Sequence, residues 1–144
     1  MSAVSPAELN QLLAAHEFTR RPGFQVAAVG DGECVLSVPY SAEYERPGGV
    51  ASGQLYMHAA DVAFWLALKT RLGLGDGSLT SGMTTAFLDS ARREDFTCRA
   101  RVLRLGARLA YGEAECSVAG RLLTHHTLTY VRPAVSRAAA STSS

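Results

Sequence analysis

Asp61 is the only formally charged residue between Arg46 and Lys69. It lies within Leu-Tyr-Met-His-Ala-Ala-Asp-Val-Ala-Phe-Trp-Leu-Ala-Leu, from Leu55 to Leu68, a run apolar enough to be buried on almost every side. Taking a carboxylate out of water is costly unless it is paired, hydrogen-bonded or neutralised, and acid–base or nucleophilic catalysis is a common reason to keep one there. The plainer alternative is a structural carboxylate satisfied by a hydroxyl or a backbone group. His58, three residues earlier, shares its helical face and could orient the acid or carry a proton; the competing reading is a satisfied core or interface histidine. A Gly-Gly-Val-Ala-Ser-Gly-Gln lead-in runs from Gly48 to Gln54. Ser52 there suits a helix N-cap better than a nucleophile, since no Gly-x-Ser-x-Gly elbow surrounds it. Gln54 offers a donor to a carbonyl or a water, or simply a solvent contact.

Other constellations point away from chemistry. His125 and His126 are adjacent on an expected strand, so they face opposite ways. No Cys or carboxylate cluster joins them, and no metal is expected. Gly73-Leu-Gly-Asp-Gly77 lacks the Lys-Ser/Thr of a phosphate loop and reads as a helix stop. No cofactor motif is present.

These residues need elements to position them. Ser5-Pro6-Ala7-Glu8 carries a capping box with proline at the first helical position, predicting a short helix from Pro6 to about His16. Gln25–Val29 and Glu33–Val38 read as strands joined by a Gly30-Asp31-Gly32 turn. Tyr40 to Ala51 reads as a loop broken by Pro47 and Gly48-Gly49. A long helix is expected from Gly53 to Thr70 or Arg71. The periodicity then changes to that of strands over Leu79–Leu88, Phe96–Val102, Leu109–Val118 and Leu122–Val131. One largely apolar helix among six strands implies an α+β class, with the sheet curling around the helix.

With 144 residues the chain reads as one unit, residues 1–132, followed by an Ala/Ser-rich tail, 133–144, expected to be disordered. A net charge of +1 argues against a general nucleic-acid binder. Three scattered cysteines without CxxC spacing fit reduced thiols and a cytoplasmic protein. Neither a secretory leader nor a membrane span is expected.

The element order, with Gly53 and Asp61 in place, resembles the hotdog fold, a curved antiparallel sheet wrapped around a long central helix. More closely, the chain is similar to hotdog acyl-CoA thioesterases of the phenylacetate-degradation and 4-hydroxybenzoyl-CoA type. The likeness runs from Phe18 to about Arg132. Ser52-Gly53-Gln54 through Asp61 matches that family's His-Gly-Gly, six residues, then an acid. Thr80 to Ala91 matches its following strand, and Thr124 to Tyr130 its closing one. The chain departs in carrying Ser52 for the histidine, Gln54 for the second glycine, Arg46 for an asparagine, and Phe64 and Trp65 where small residues follow the acid.

The resemblance implies a thioesterase needing no cofactor. Asp61 would be general base or nucleophile, and the Gly53 N–H would polarise the thioester carbonyl. Ser52, Gln54, His58, Trp65 and Arg108 would contact substrate. Tyr56, Phe64 and Trp65 would line an acyl pocket or pack in the core. Arginines among Arg92, Arg93, Arg99, Arg101, Arg104 and Arg108 would meet the CoA phosphates or form a solvated face. Eight residues along one helix place Gly53 and Asp61 about 12 Å apart, so the acid must serve the Gly53 of a partner. A homodimer or a dimer of dimers is therefore implied. Rival readings are a non-catalytic binder of CoA esters and a hydratase or dehydratase using His58.

Overall fold

The computed structural model describes residues 2–133. The expected tail lies outside the described residues except for Pro133. Helix α1, Pro6–Ala15, starts with the anticipated capping box, Ser5 accepting from the Glu8 N–H and the Glu8 side chain accepting from the Ser5 N–H. A further short helix, α2, Glu17–Arg20, follows directly. Strands β1, Gln25–Gly30, and β2, Glu33–Val38, form a hairpin closed at Asp31-Gly32, where Gly32 takes φ +72°.

The segment expected to be a plain loop carries more order. A 3-10 turn at Ala42–Tyr44 leads into a small hairpin of β3, Glu45–Arg46, and β4, Val50–Ala51. Pro47-Gly48-Gly49 makes its turn, with Gly48 and Gly49 at φ +102° and +76°. This hairpin fixes the entry to the central helix α3, Gly53–Leu72. Ser52 is its N-cap, accepting from the Gln54 N–H at 3.2 Å. Strands β5, Leu79–Phe87, β6, Phe96–Leu105, β7, Leu109–Val118, and β8, Arg121–Val131, complete the chain.

Six strands form one antiparallel sheet in the order β1-β2-β6-β7-β8-β5. Its inner face packs on α3, chiefly through β2, β6 and β7. Alternation along the strands does this: Phe96, Cys98, Ala100 and Val102 are buried, while Thr97, Arg99 and Arg101 face water. The depth of the helix is set by one notch. A Cβ on Gly112 would lie 2.2 Å from Phe64 Cε1 and 2.2 Å from the Arg101 carbonyl, so only glycine lets the Phe64 ring rest on β7. Phe64 also packs edge-on against Tyr130, centroids 5.1 Å apart. The fold is the expected α+β arrangement of the hotdog type, a curved antiparallel sheet around one long helix.

The two sheet edges differ. The backbone of β1 is tied to α1, because Asn10 accepts from the Val26 N–H at 2.8 Å and reaches the Val26 carbonyl at 3.4 Å. The outer edge of β5 has no such cover among the described residues, and Leu79 and Phe87 at its ends are 72% and 56% exposed.

Candidate active site

Asp61 sits midway along α3. It is half-buried rather than enclosed, and opens into a cleft of about 550 Å³ with Phe18, Val62, Trp65, Leu79, Thr80 and Tyr130 among its walls. Two hydroxyls converge on one carboxylate oxygen. Thr80 Oγ1 donates to Oδ1 at 2.7 Å, and the Tyr130 hydroxyl donates to the same atom at 2.6 Å. The Tyr130 hydroxyl also lies 2.9 Å from the Asp61 main-chain oxygen. Burial and the adjacent Asp61 carboxylate push the Tyr130 phenol far above its ordinary range, so it remains a donor. Oδ2 has no hydrogen-bond partner among the described residues. The carboxylate is thus aimed by one oxygen and available through the other.

Strand register explains the convergence. Thr80 on β5 and Tyr130 on β8 are direct cross-strand partners. The register slips between Thr80 and Gly82, a bulge one residue past Thr80, the kind of irregularity that re-aims side chains beside sites. Neither Thr80 nor Tyr130 was singled out from sequence. The signal lay in a tertiary pairing, which spacing along one strand does not show.

Gly53 occupies the other end of the helix face. It lines a second cleft, about 490 Å³, with Arg46, Val50, Tyr56, Phe87 and Ser90 among its neighbours. It is the first residue of α3, so its N–H belongs to the unpaired donors of a helix start. These donors favour negative charge, as does the helix dipole. A Cβ on Gly53 would come within 3.2 Å of the Phe87 ring.

The other expected site residues divide. Ser52 caps the helix and Gln54 is exposed beside it. His58 makes no hydrogen bond to Asp61. It is half-buried between Phe18, stacked at 5.7 Å, and Phe24, edge-on at 5.0 Å. Desolvation lowers its pKa, opposed by the pull of Asp61. Trp65 lines the Asp61 cleft. Tyr56 and Phe64 are core residues instead of pocket lining for the acid: both are buried, and the Tyr56 hydroxyl accepts from the Ala91 N–H at 2.8 Å. Arg108 lies in the β6–β7 turn, outside the walls of either cleft. Arg93, Arg99 and Arg101 are engaged in ion pairs with Glu45, Glu33 and Glu113. Arg46, by contrast, has no carboxylate partner among the described residues, and neither do Arg92, Arg104 and Arg108.

The three cysteines are buried and unbridged. Burial alone drives the Cys34 thiol up to about 12. His126 is a satisfied core histidine, with Thr85 Oγ1 and Thr124 Oγ1 each 2.8 Å from a ring nitrogen. Among the described residues no group of side chains could hold a metal ion, and no helix is long and apolar enough to cross a membrane.

Comparison with known proteins agrees with this geometry. Residues 48–124, more than half of the chain, match the family model of the thioesterase superfamily. The chain is 31% identical over 113 residues to a candidate esterase of Sulfurisphaera tokodaii, covering 78% of this chain and 84% of that protein. It is 33% identical over 84 residues to a candidate esterase of Saccharolobus solfataricus, covering 58% of this chain and 59% of that relative, under two thirds of its length. Among solved structures, a mutant of the phenylacetic acid degradation protein PaaI from Thermus thermophilus superposes with a TM-score of 0.75 at 25% identity, over 82% of this chain and all (100%) of that one. A thioesterase of Haemophilus influenzae shares the fold, with a TM-score of 0.82 at 21% identity and 90% of each chain covered. The family match spans Gly53, all of α3 with Asp61, and β5 to β7, while Tyr130 lies beyond it: the chain belongs to the thioesterase superfamily, and so to the hydrolases.

Proposed function

We propose that this protein is an acyl-CoA thioesterase, cleaving an acyl- or aryl-CoA to the free acid and CoA across the interface of a homodimer. The observation that carries the reading is the placement of the two reactive groups at opposite ends of β5. Asp61 is bonded to Thr80 at one end, and Gly53 sits against Phe87 at the other.

An uncovered nine-residue strand with no charge and no proline is a template for pairing. Antiparallel pairing of two copies about Met83 would set Phe87 of one opposite Leu79 of its partner. Gly53 of one subunit would then face Asp61 of the partner subunit. One helix cannot bring them together, since they lie about 12 Å apart along its axis. Two copies supply two such sites, and the same logic allows a dimer of dimers.

In the reaction, the thioester carbonyl would lie on the Gly53 N–H and the helix start, where negative charge develops. Asp61 would take a proton from water as its oxygen bonds to the carbonyl carbon, or would attack that carbon directly. The tetrahedral oxyanion then collapses, the carbon–sulfur bond breaks, and the CoA thiolate leaves and is protonated. Direct attack instead forms an anhydride that water cleaves. Either route uses only groups of the chain and water, and no cofactor. Ser52 would hold the helix start in shape, while the exposed Gln54 would approach the substrate and His58 would pack between Phe18 and Phe24. Arg46, Arg92 and Arg108 would be available to CoA phosphates. Three buried, unbridged cysteines fit a reducing compartment such as the cytoplasm, and residues 1–132 would act as one unit.

The test is thiol release from short, long and aromatic acyl-CoAs, comparing the wild type with Asp61→Asn. Turnover lost in the variant while the dimer persists supports the reading. Equal turnover in both proteins would make Asp61 structural and defeat this mechanism, and CoA binding without turnover by either indicates a non-catalytic binder.

A further inference from the structure

The cleft at Asp61 has a built end wall. Trp65 follows Asp61 by four residues, so it stands on the same helical face about 6 Å further along the axis. Its indole lines the cleft and is not left to swing. Lys69, one more turn along, places its ammonium 4.8 Å from the indole centroid. Lysine is seldom buried, yet Lys69 is only 2% exposed. Its Nζ donates to the carbonyls of Leu74 at 3.0 Å and Asp76 at 3.1 Å.

Those carbonyls belong to the glycine-rich segment after α3. The Gly73 N–H closes on the Lys69 carbonyl at 2.8 Å, and the Asp76 N–H reaches Gly73 at 3.3 Å. Ser78 Oγ donates to Asp76 Oδ1 at 2.8 Å. The segment that stops the helix is therefore also the anchor for the lysine that braces the indole. A cation held over an indole face fixes the ring in place.

We infer that Trp65, braced by Lys69, is the wall that sets the length of the acyl group. The inference rests on Asp61 being the catalytic acid. With the thioester carbonyl at Asp61, the acyl group would extend along α3 between Phe18 and Val62 and meet the indole after one helical turn. Short-chain and single-ring acyl groups fit that space; long linear chains are stopped. Trp65 is a specificity-determining residue, and Lys69 is a positioning residue acting through it.

The experiment measures kcat/KM by thiol release for acetyl-, butyryl-, hexanoyl-, decanoyl- and phenylacetyl-CoA. The full chain is compared with Trp65→Ala, Trp65→Leu, Trp65→Phe and Lys69→Met. The wild type should favour butyryl- over decanoyl-CoA. Trp65→Ala should raise the decanoyl-to-butyryl ratio by roughly tenfold or more, since single methylene groups in apolar pockets already discriminate on that scale. Lys69→Met should shift the ratio the same way by less, and Trp65→Phe should stay near wild type. Trp65→Leu carries the test if the alanine variant does not fold. A wild type that prefers decanoyl-CoA, or an unchanged ratio in the Ala and Leu variants, overturns the wall while leaving Asp61 its role. Absence of turnover on every thioester by the wild type removes the Asp61 reading, and the wall with it.

Discussion

Tyr130→Phe removes one atom from the candidate site and little else. The ring keeps its edge-on contact with Phe64, so the core is undisturbed. What disappears is the donor 2.6 Å from Asp61 Oδ1. A hydrogen bond to a charged group contributes about 1.5–3 kcal/mol. If the whole of that is used to hold the carboxylate for reaction, kcat falls between about 10-fold and 150-fold, at 1.36 kcal/mol for each tenfold. Thr80 still donates to the same oxygen at 2.7 Å, which puts the expected loss toward the lower end. KM should change little, because the hydroxyl holds the acid and not the CoA. Thr80→Val should give a loss of similar size. The two together should exceed the product, because each single variant keeps one donor on the oxygen and the double variant keeps none. The assay is steady-state thiol release with thermal unfolding as the control. A Tyr130→Phe enzyme with kcat within about twofold of wild type, equally stable, would refute the role given to this pair.

Gly112→Ala should destabilise the fold at the upper end of the about 1–3 kcal/mol typical of overpacking, because the new Cβ would meet a carbonyl and the Phe64 ring at 2.2 Å each; thermal unfolding checks this. Thr84→Lys, at the exposed centre of β5, should convert the dimer to monomer in sedimentation and abolish turnover while circular dichroism is retained. The folded-state pKa of His58 is depressed by burial, so the unfolded chain binds more protons below about 6.5. Stability should therefore fall as pH drops below about 6.5, and His58→Phe should flatten that part of the Tm–pH profile.

Much of the fold could be read along the chain because local rules and packing agree. The Ser5 to Glu8 capping box, the Asp31-Gly32 turn, the Ser52 cap and the alternation of Phe96 to Val102 are each specified within a few residues. Helix α2 and the Glu45–Ala51 hairpin are too short to leave a periodic signal. The site was legible only in part. An isolated acid in an apolar helix draws notice to Asp61, but its hydroxyl donors come from two strands brought together by register. Helical spacing alone leaves His58 open between a partner of Asp61 and a packed core or interface histidine. Phe18 stacked on its ring and Phe24 edge-on to it, both from outside the helix, are its packing partners. Phe64 has the aromatic character of pocket lining, yet the Gly112 notch takes it into the core, while Tyr56, held by the Ala91 N–H, is buried away from Asp61 beneath the Gly53 cleft.

The central claim is that each active site joins Gly53 of one subunit to Asp61 of the partner subunit. Its most direct test mixes two inactive proteins, Gly53→Val and Asp61→Asn, by unfolding and refolding them together. A mixed dimer holds one site with both native groups and one with neither. Random pairing makes half the dimers mixed, so thiol release should recover to about a quarter of the wild-type rate. Parents refolded separately should stay inactive. Mixed dimers that form and remain as inactive as their parents would show that the two groups do not meet across the interface.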